Sequence, residues 1–177
     1  MTSRLQLETP RLTCAQLEEA DWAFFRQLQL SPQVMHYIAD QKSEEKIHAD
    51  FNSRLPLWSP RSAHWLCLVV RDKQSGKRLG VSGYIHRDSD CAEVGFLFAS
   101  EAQGKGYAYE SLNALCDYAF KDGGIRRLIA TVTAGNTSSR RLLEKVGFVL
   151  EGELRENYWL RNAWHNDWLF GLLQKDY

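Results

Sequence analysis

The residues of this chain best suited to chemistry fall in three places. They are a carboxylate, Glu93, on an apolar run; the hexamer Gln103-Gly104-Lys105-Gly106-Tyr107-Ala108; and Asn136 with Ser139 three positions on. Two glycines one residue apart, between a strand-like segment and a helical pattern, let the backbone turn tightly and aim several N–H groups at one point. A helix N-terminus carries unpaired donors and about half a positive charge. A phosphate or diphosphate there gains on the order of 1 kcal/mol from the dipole, besides its direct hydrogen bonds. Lys105 adds a screened charge at the rim. A plain strand-to-helix turn, with glycines for geometry only, accounts for the same hexamer. Two other phosphate motifs do not fit. A P-loop needs a second glycine five residues after the first, then Lys and Ser or Thr. A dinucleotide fingerprint needs a glycine at Tyr109 and an acidic residue about twenty residues further on.

Composition narrows the chemistry. Lys plus Arg and Asp plus Glu balance at 22 each, so there is no global field of the kind that gathers nucleic acid or an anionic membrane. Cys14, Cys67, Cys91 and Cys116 are far apart and the five histidines form no HExxH, so zinc, redox and catalytic-metal chemistry are not expected. The start, Met-Thr-Ser-Arg, lacks an apolar stretch, and the longest apolar run, Trp65 to Val70, is too short to span a bilayer. A soluble cytoplasmic protein is expected. Its 177 residues suit a single domain over 1–177, burying roughly 70% of the unfolded surface.

The elements that must position these residues follow from periodicity. Leu5 to Thr13 reads as a first strand interrupted at Pro10, and Asp21 as a cap for a helix carrying Trp22, Phe25 and Leu28. A second helix begins near Ser43, carries Ile47, Phe51, Leu55 and Trp58 on one face, and ends around Pro60. Trp65 to Val70, Leu79 to His86 and Ala92 to Phe98 read as an antiparallel meander. A helix from near Gly106, with Leu112, Leu115, Cys116 and Ala119 inward, stops at Gly123-Gly124. A strand over Arg127 to Thr133 and a helix with Leu142, Leu143 and Val146, stopped by Gly147, come next. A last pair, Phe148 to Leu160 and Trp164 to Leu173, joins through Asn162-Ala163. The order predicts an α/β domain with a mixed sheet.

With that order in hand, the chain resembles the GNAT superfamily of N-acetyltransferases over nearly its whole length. More narrowly it is similar to the ribosomal-protein N-terminal acetyltransferases of the Rim type. Four pieces carry the likeness: Thr9-Pro10-Arg11-Leu12, Glu93-Val94-Gly95-Phe96, the hexamer, and Asn136-Thr137-Ser138-Ser139 leading to Gly147-Phe148. The first is hardly more than a strand end; the joint spacing of the other three is the strong signal. The tail Glu151-Gly152-Glu153-Leu154-Arg155, with Asn162 and Asp167, also looks like this branch.

The resemblance implies a mostly antiparallel sheet, splayed at its central strands, with helices on both faces. It implies acetyl-coenzyme A as cosubstrate, no metal, and direct transfer to a primary amine without a covalent enzyme intermediate. The expected acceptor is the α-amine of a protein N-terminus, ribosomal proteins included; the alternatives are a small amine such as an antibiotic, polyamine or amino-acid derivative, or a coenzyme A-binding module without activity. Backbone amides at Gly104, Gly106, Tyr107 and Ala108 would take the diphosphate, with Gln103 and Lys105 beside them. The strand through Phe96, Leu97 and Phe98 would pair with the pantetheine arm, and Gly95 would let that strand bulge away from Arg127 to Thr133. An N–H near Phe96 or Leu97 would be the oxyanion donor. Asn136 either caps the following helix, contacts the pantetheine, or does both. Glu93 is the candidate base, set against a plain ion pair across the sheet. Many GNATs place a tyrosine acid where this chain has Leu143, which moves that role to Ser139. The acceptor cleft is expected to be built by the variable segment between the first two helices and by the last hairpin; Tyr84, His86, Tyr158, Trp159 and Trp164 are candidates for it, although aromatic residues on strands are more often core. Whether the chain is a monomer or a homodimer is not legible.

Overall fold

The computed structural model describes residues 3–177. Strands β1 (Gln6–Glu8) and β2 (Leu12–Gln16) form a hairpin around Pro10 and lead into helices α1 (Trp22–Leu30), α2 (Pro32–Met35) and α3 (Glu44–Arg54). The meander β3 (Leu68–Asp72), β4 (Arg78–His86) and β5 (Cys91–Phe98) follows. Then come α4 (Tyr107–Lys121), β6 (Arg127–Thr133), α5 (Thr137–Val146), β7 (Val149–Leu160) and β8 (Ala163–Leu173). All eight strands lie in one sheet in the order β1-β2-β3-β4-β5-β6-β8-β7, and β5 with β6 is its parallel pair.

Local signals explain most of these boundaries. Ser43 starts α3, its Oγ accepting the Lys46 N–H at 3.1 Å. The helix stops at Arg54, short of the expected Pro60 and without Trp58, because Pro56 has no N–H to continue the ladder and the Leu55 N–H turns to Asn52 O instead. The inward face of α4 is as the spacing predicts: Leu112, Leu115, Cys116 and Ala119 are buried. Cutting Leu115 back to alanine would cost about 2–5 kcal/mol.

Further expectations need correction. The last turn sits one residue earlier than expected, on Arg161 and Asn162, whose φ values of 50° and 57° are those of a two-residue hairpin loop. The strand predicted from Trp65 begins at Leu68, because Leu66 and Cys67 pair irregularly, Leu66 N–H to Tyr84 O and Leu17 N–H to Cys67 O. Asp21 does not cap α1 through its side chain. It is wholly buried, where Oδ1 accepts Arg71 Nη2 at 2.6 Å and Arg78 Nε at 2.8 Å, and Oδ2 accepts the Glu18 N–H at 3.0 Å. Breaking such a buried pair from one side costs about 3–5 kcal/mol, so Asp21 ties the start of α1 to β3 and β4.

The feature that shapes the rest is a fork in the sheet. Strands β5 and β6 pair only over Cys91–Glu93 and Arg127–Ile129, while each runs on for several residues. From Val94 to Phe98, β5 keeps β4 on one flank and has no partner strand on the other. The expected bulge at Gly95 is not the cause: β4 and β5 keep one unbroken register, with Gly95 opposite Gly83. Gly95 instead leaves room for the Trp65 ring, which would lie 3.3 Å from a Cβ there.

Candidate active site

A cavity of about 840 Å³ opens at the fork. One wall is continuous chain: Phe96, Leu97 and Phe98 of β5, then Ala102 to Gly104 and Gly106 to Tyr109. The unpaired flank of β5 turns backbone N–H and C=O groups into this space. The turn beyond it is held open by two left-handed glycines, Gly104 at φ 76° and Gly106 at φ 80°, the second being the N-cap of α4. The first helical bond runs from the Glu110 N–H to Gly106 O at 3.1 Å, so the amides of Tyr107, Ala108 and Tyr109 have no acceptor inside the helix. A Cβ at Gly104 would meet nothing within 4 Å, which leaves the main chain accessible to an anion. Gln103 fixes where the strand ends, its Nε2 donating to Phe98 O at 3.1 Å.

A second wall is the start of α5, with Asn136, Ser138, Ser139, Arg141, Leu142 and Lys145. Asn136 caps this helix, Oδ1 accepting the Ser139 N–H at 3.3 Å, and the same two residues face the cavity. Arg141 and Lys145, one helical turn apart, add two cations. The third wall is a strap, α2 and the residues after it, contributing Pro32 to Val34 and His36 to Ile38. Ser31 caps α2, its Oγ accepting the Val34 N–H, and the Tyr37 ring lies over Gly135, 3.2 Å from where a Cβ would stand. The β7–β8 hairpin latches the strap. Tyr158 Oη donates to Ile38 O at 2.7 Å, the Arg161 N–H to Asp40 Oδ1 at 2.9 Å, and Arg161 Nε to His36 O at 3.2 Å.

A forked mixed sheet, a glycine turn at a helix N-terminus and a deep cleft between them are now in view, and the acetyltransferase (GNAT) domain family matches residues 11–149. The chain belongs to the GNAT family. This GNAT is an acetyl-coenzyme A-dependent N-acetyltransferase. Among its relatives, the uncharacterized N-acetyltransferase YnaD of Bacillus subtilis is 26% identical over 175 residues, covering 98% of this chain and 99% of that one. The crystal structure of spermidine N-acetyltransferase from Vibrio cholerae, in complex with coenzyme A and spermine, superposes with a TM-score of 0.83 at 26% identity, covering 95% and 98% of the two chains. RimL, a ribosomal L7/L12 α-N-protein acetyltransferase in complex with coenzyme A, gives the same TM-score of 0.83 at 18% identity, covering 96% and 98%. That second likeness is one of fold.

Against this GNAT frame, the residues singled out from the sequence divide. Phe96, Leu97, Phe98, Gln103, Gly104, Gly106, Tyr107, Ala108, Asn136 and Ser139 all line the cavity. Lys105 does not; its side chain is exposed and its carbonyl accepts a bond from Arg11 behind the turn. Glu93 lies at the closed end of the fork, opposite Ile129, where Arg87 Nη2 and Nε hold its carboxylate at 2.6 and 3.1 Å. That is the cross-sheet ion pair weighed against catalysis. Leu143, in place of the family tyrosine, is wholly buried.

The aromatic candidates fare unevenly. Tyr84 is wholly buried against Trp58, because its strand faces α4 at that position, and it is no part of the cavity. Its hydroxyl has no hydrogen-bond partner among the described residues, and burial pushes its pKa far up. His86 stands near the end of β4 and lines no wall. Trp159 and Trp164 stack edge to face at the exposed hairpin tip, since the two-residue turn points them outward. Tyr158 touches the cleft indirectly, through the strap. The strap falls in the segment between the first two predicted helices, which was expected to help build the cleft, although none of its residues was singled out; Arg141 and Lys145 were missed. The two cations have a readable signal, their i, i+4 spacing on α5 behind the Asn136 cap. The strap's place opposite α5 is set by contacts from distant chain.

Proposed function

We propose that this acetyltransferase modifies the α-amine of a polypeptide N-terminus by direct transfer. The observation that carries this reading is that no carboxylate among the described residues lines the cavity. A polyamine brings several ammonium groups at neutral pH and needs anionic partners to replace their water. A peptide backbone with one amine does not. An α-amine with pKa near 8 is already about a tenth neutral at pH 7, whereas a lysine near 10.4 is a thousandth neutral or less. A cavity without a carboxylate base fits the first better.

The residues present suit coenzyme A. The main-chain amides of Gly104, Gly106, Tyr107 and Ala108 would hold its diphosphate, Arg141 and Lys145 would add charge, and the open flank of β5 would take the amide-bearing arm. When bound, the acetylated form supplies an activated thioester. An N–H of β5 near Phe96 or Leu97 would hold the carbonyl oxygen. As the C–N bond forms and the C–S bond breaks, Ser139 Oγ would pass a proton to the departing sulfur and take up the one the amine loses, and the Asn136 cap fixes the turn of helix that carries it. None of the four cysteines lines the cavity, and burial pushes the thiols of Cys14, Cys67 and Cys116 up to about 12, which supports a mechanism without an enzyme thioester.

The spermidine-modifying relative supports a second reading, a small polyamine as acceptor. One assay separates the two. Acetyl-coenzyme A would be supplied with free peptides, the same peptides N-terminally blocked but carrying an internal lysine, and spermidine, and products read by mass spectrometry. The expected result is acetylation of free N-termini alone. Faster turnover of spermidine than of any peptide would overturn the proposal.

A further inference from the structure

The least regarded of the four sequence pieces, Thr9-Pro10-Arg11-Leu12, lies directly behind the glycine turn. Arg11 Nη1 donates to Lys105 O at 3.0 Å, the carbonyl between the two left-handed glycines. Its Nε donates to Glu110 Oε2 at 2.6 Å, and its own N–H to Glu110 Oε1 at 2.9 Å. Thr9 Oγ1 donates to the same Oε1 at 2.7 Å. The guanidinium lies 4.6 Å from the centre of the Tyr107 ring, and Nη2 would stand 3.2 Å from a Cβ on Gly106. Glu110 belongs to the first turn of α4, so its carboxylate also faces the helix dipole favourably. Burial pushes that carboxyl up, but the bonds from Thr9 and Arg11 outweigh it and hold the group below the usual range. One fork therefore bridges a loop carbonyl and a helix carboxylate from the side away from the cleft: Arg11 and Glu110 line the groove on the far side of Gly106 and neither lines the cavity.

We infer that Arg11, oriented by Glu110 and Thr9, is a positioning residue for the donor: it fixes the main chain from Gly104 to Ala108 in the shape that receives a diphosphate, without touching the donor itself. The physical need is specific. Glycines on either side of Lys105, both with positive φ, let the two peptides that flank it swing at little steric cost, and a misaimed N–H is worth much less to an oxyanion than an aligned one. Lysine in place of Arg11 keeps a charge but has no planar fork to bridge two acceptors.

The inference rests on coenzyme A binding at the turn and not on the acceptor proposed above, so it is tested by binding alone. Calorimetry or competition would give dissociation constants for coenzyme A, dephospho-coenzyme A and pantetheine with the wild type, Arg11→Gln, Arg11→Lys and Glu110→Gln. Arg11→Gln is expected to weaken coenzyme A and dephospho-coenzyme A alike, by about tenfold, the scale of one lost charge-assisted bond. Pantetheine affinity should stay unchanged. Arg11→Lys should not restore the loss, and the Arg11→Gln/Glu110→Gln pair should lose little more than either single variant, as for groups acting as one unit. A loss confined to coenzyme A would show that Arg11 reads the 3′-phosphate directly. An equal loss for all three ligands would show general loosening. Either result, or no loss, overturns the inference. Should Arg11→Gln melt unfolded, Arg11→Lys and Glu110→Gln give the same three comparisons. If the wild type itself binds coenzyme A but acetylates no peptide, the acceptor proposal fails while this one stands.

Discussion

The wall we propose for the donor is main chain from one stretch, Phe96 to Tyr109, continued by the capped start of α5. The strap facing it is held in place by side chains of a hairpin about 120 residues further along. The first is shaped by backbone conformation: two left-handed glycines, a helix N-terminus and an unpaired strand flank. The second is shaped by a latch of three hydrogen bonds from Tyr158 and Arg161. A diphosphate and an amide-bearing arm are fixed chemistry that any member of the family must grip, and backbone geometry does this without regard to side chains. We propose that the tethered strap meets the acceptor, whose contacts could then vary without disturbing the donor wall.

The comparison can be broken from the donor side most severely. Gly106→Val puts a β-branched side chain at φ 80° and against Arg11, and it is expected to weaken coenzyme A binding several hundredfold. Ser139→Ala should come next, with kcat down about a hundredfold and both KM values near wild type in steady-state kinetics. Unchanged turnover would remove Ser139 from the chemistry. Arg161→Ala removes one of the three latch bonds, that from Nε to His36 O, and should raise the acceptor KM by about fivefold while the donor KM holds. If the donor KM rose in step, the two walls would not be independent.

The division also follows what could be read from the sequence. The elements around the cavity were legible because their signals are local. Glycine spacing, the Asn136 cap and the β-branched run from Arg127 to Thr133 each carry their meaning within a few residues, and the last two fall where predicted. Arg11 was not, since its acceptors lie 94 and 99 positions away and a Pro-Arg-Leu strand end looks the same with or without them. Nor was Tyr84. Period-two alternation says that a strand residue has a face, but the packing of α4 decides which face is core. Glu93 shows the same gap: the sequence leaves a base and an ion pair equally open, and its partner Arg87 becomes a neighbour only once the hairpin closes.

Acid and alkali should loosen the two walls separately. The Glu110 carboxyl lies below the usual range in the folded chain, so its contribution is complete above the ordinary carboxylate pKa and is lost as pH falls through the depressed value. The Tyr158 hydroxyl is pushed up by burial and then by Asp40 and Asp167. Its contribution is complete below the ordinary tyrosine pKa near 10 and is lost as pH rises through the raised one. Coenzyme A affinity should therefore fall at the acid end, and fall less in Glu110→Gln. Strap protection from hydrogen exchange should fall at the alkaline end in the wild type but be flat in Tyr158→Phe. The smallest effect is reserved for Glu93→Gln. It removes a partly exposed ion pair worth under about 1 kcal/mol and is expected to change kcat by less than about threefold. A loss of a hundredfold would make Glu93 the base after all.

The most direct test is a crystal structure with coenzyme A. The diphosphate is expected within hydrogen-bond distance of the Gly106, Tyr107 and Ala108 amides, the arm along Phe96 to Phe98, and the sulfur beside Ser139 at the open end of the fork. A diphosphate bound elsewhere, or a sulfur on the Glu93 side of the sheet, would contradict the account.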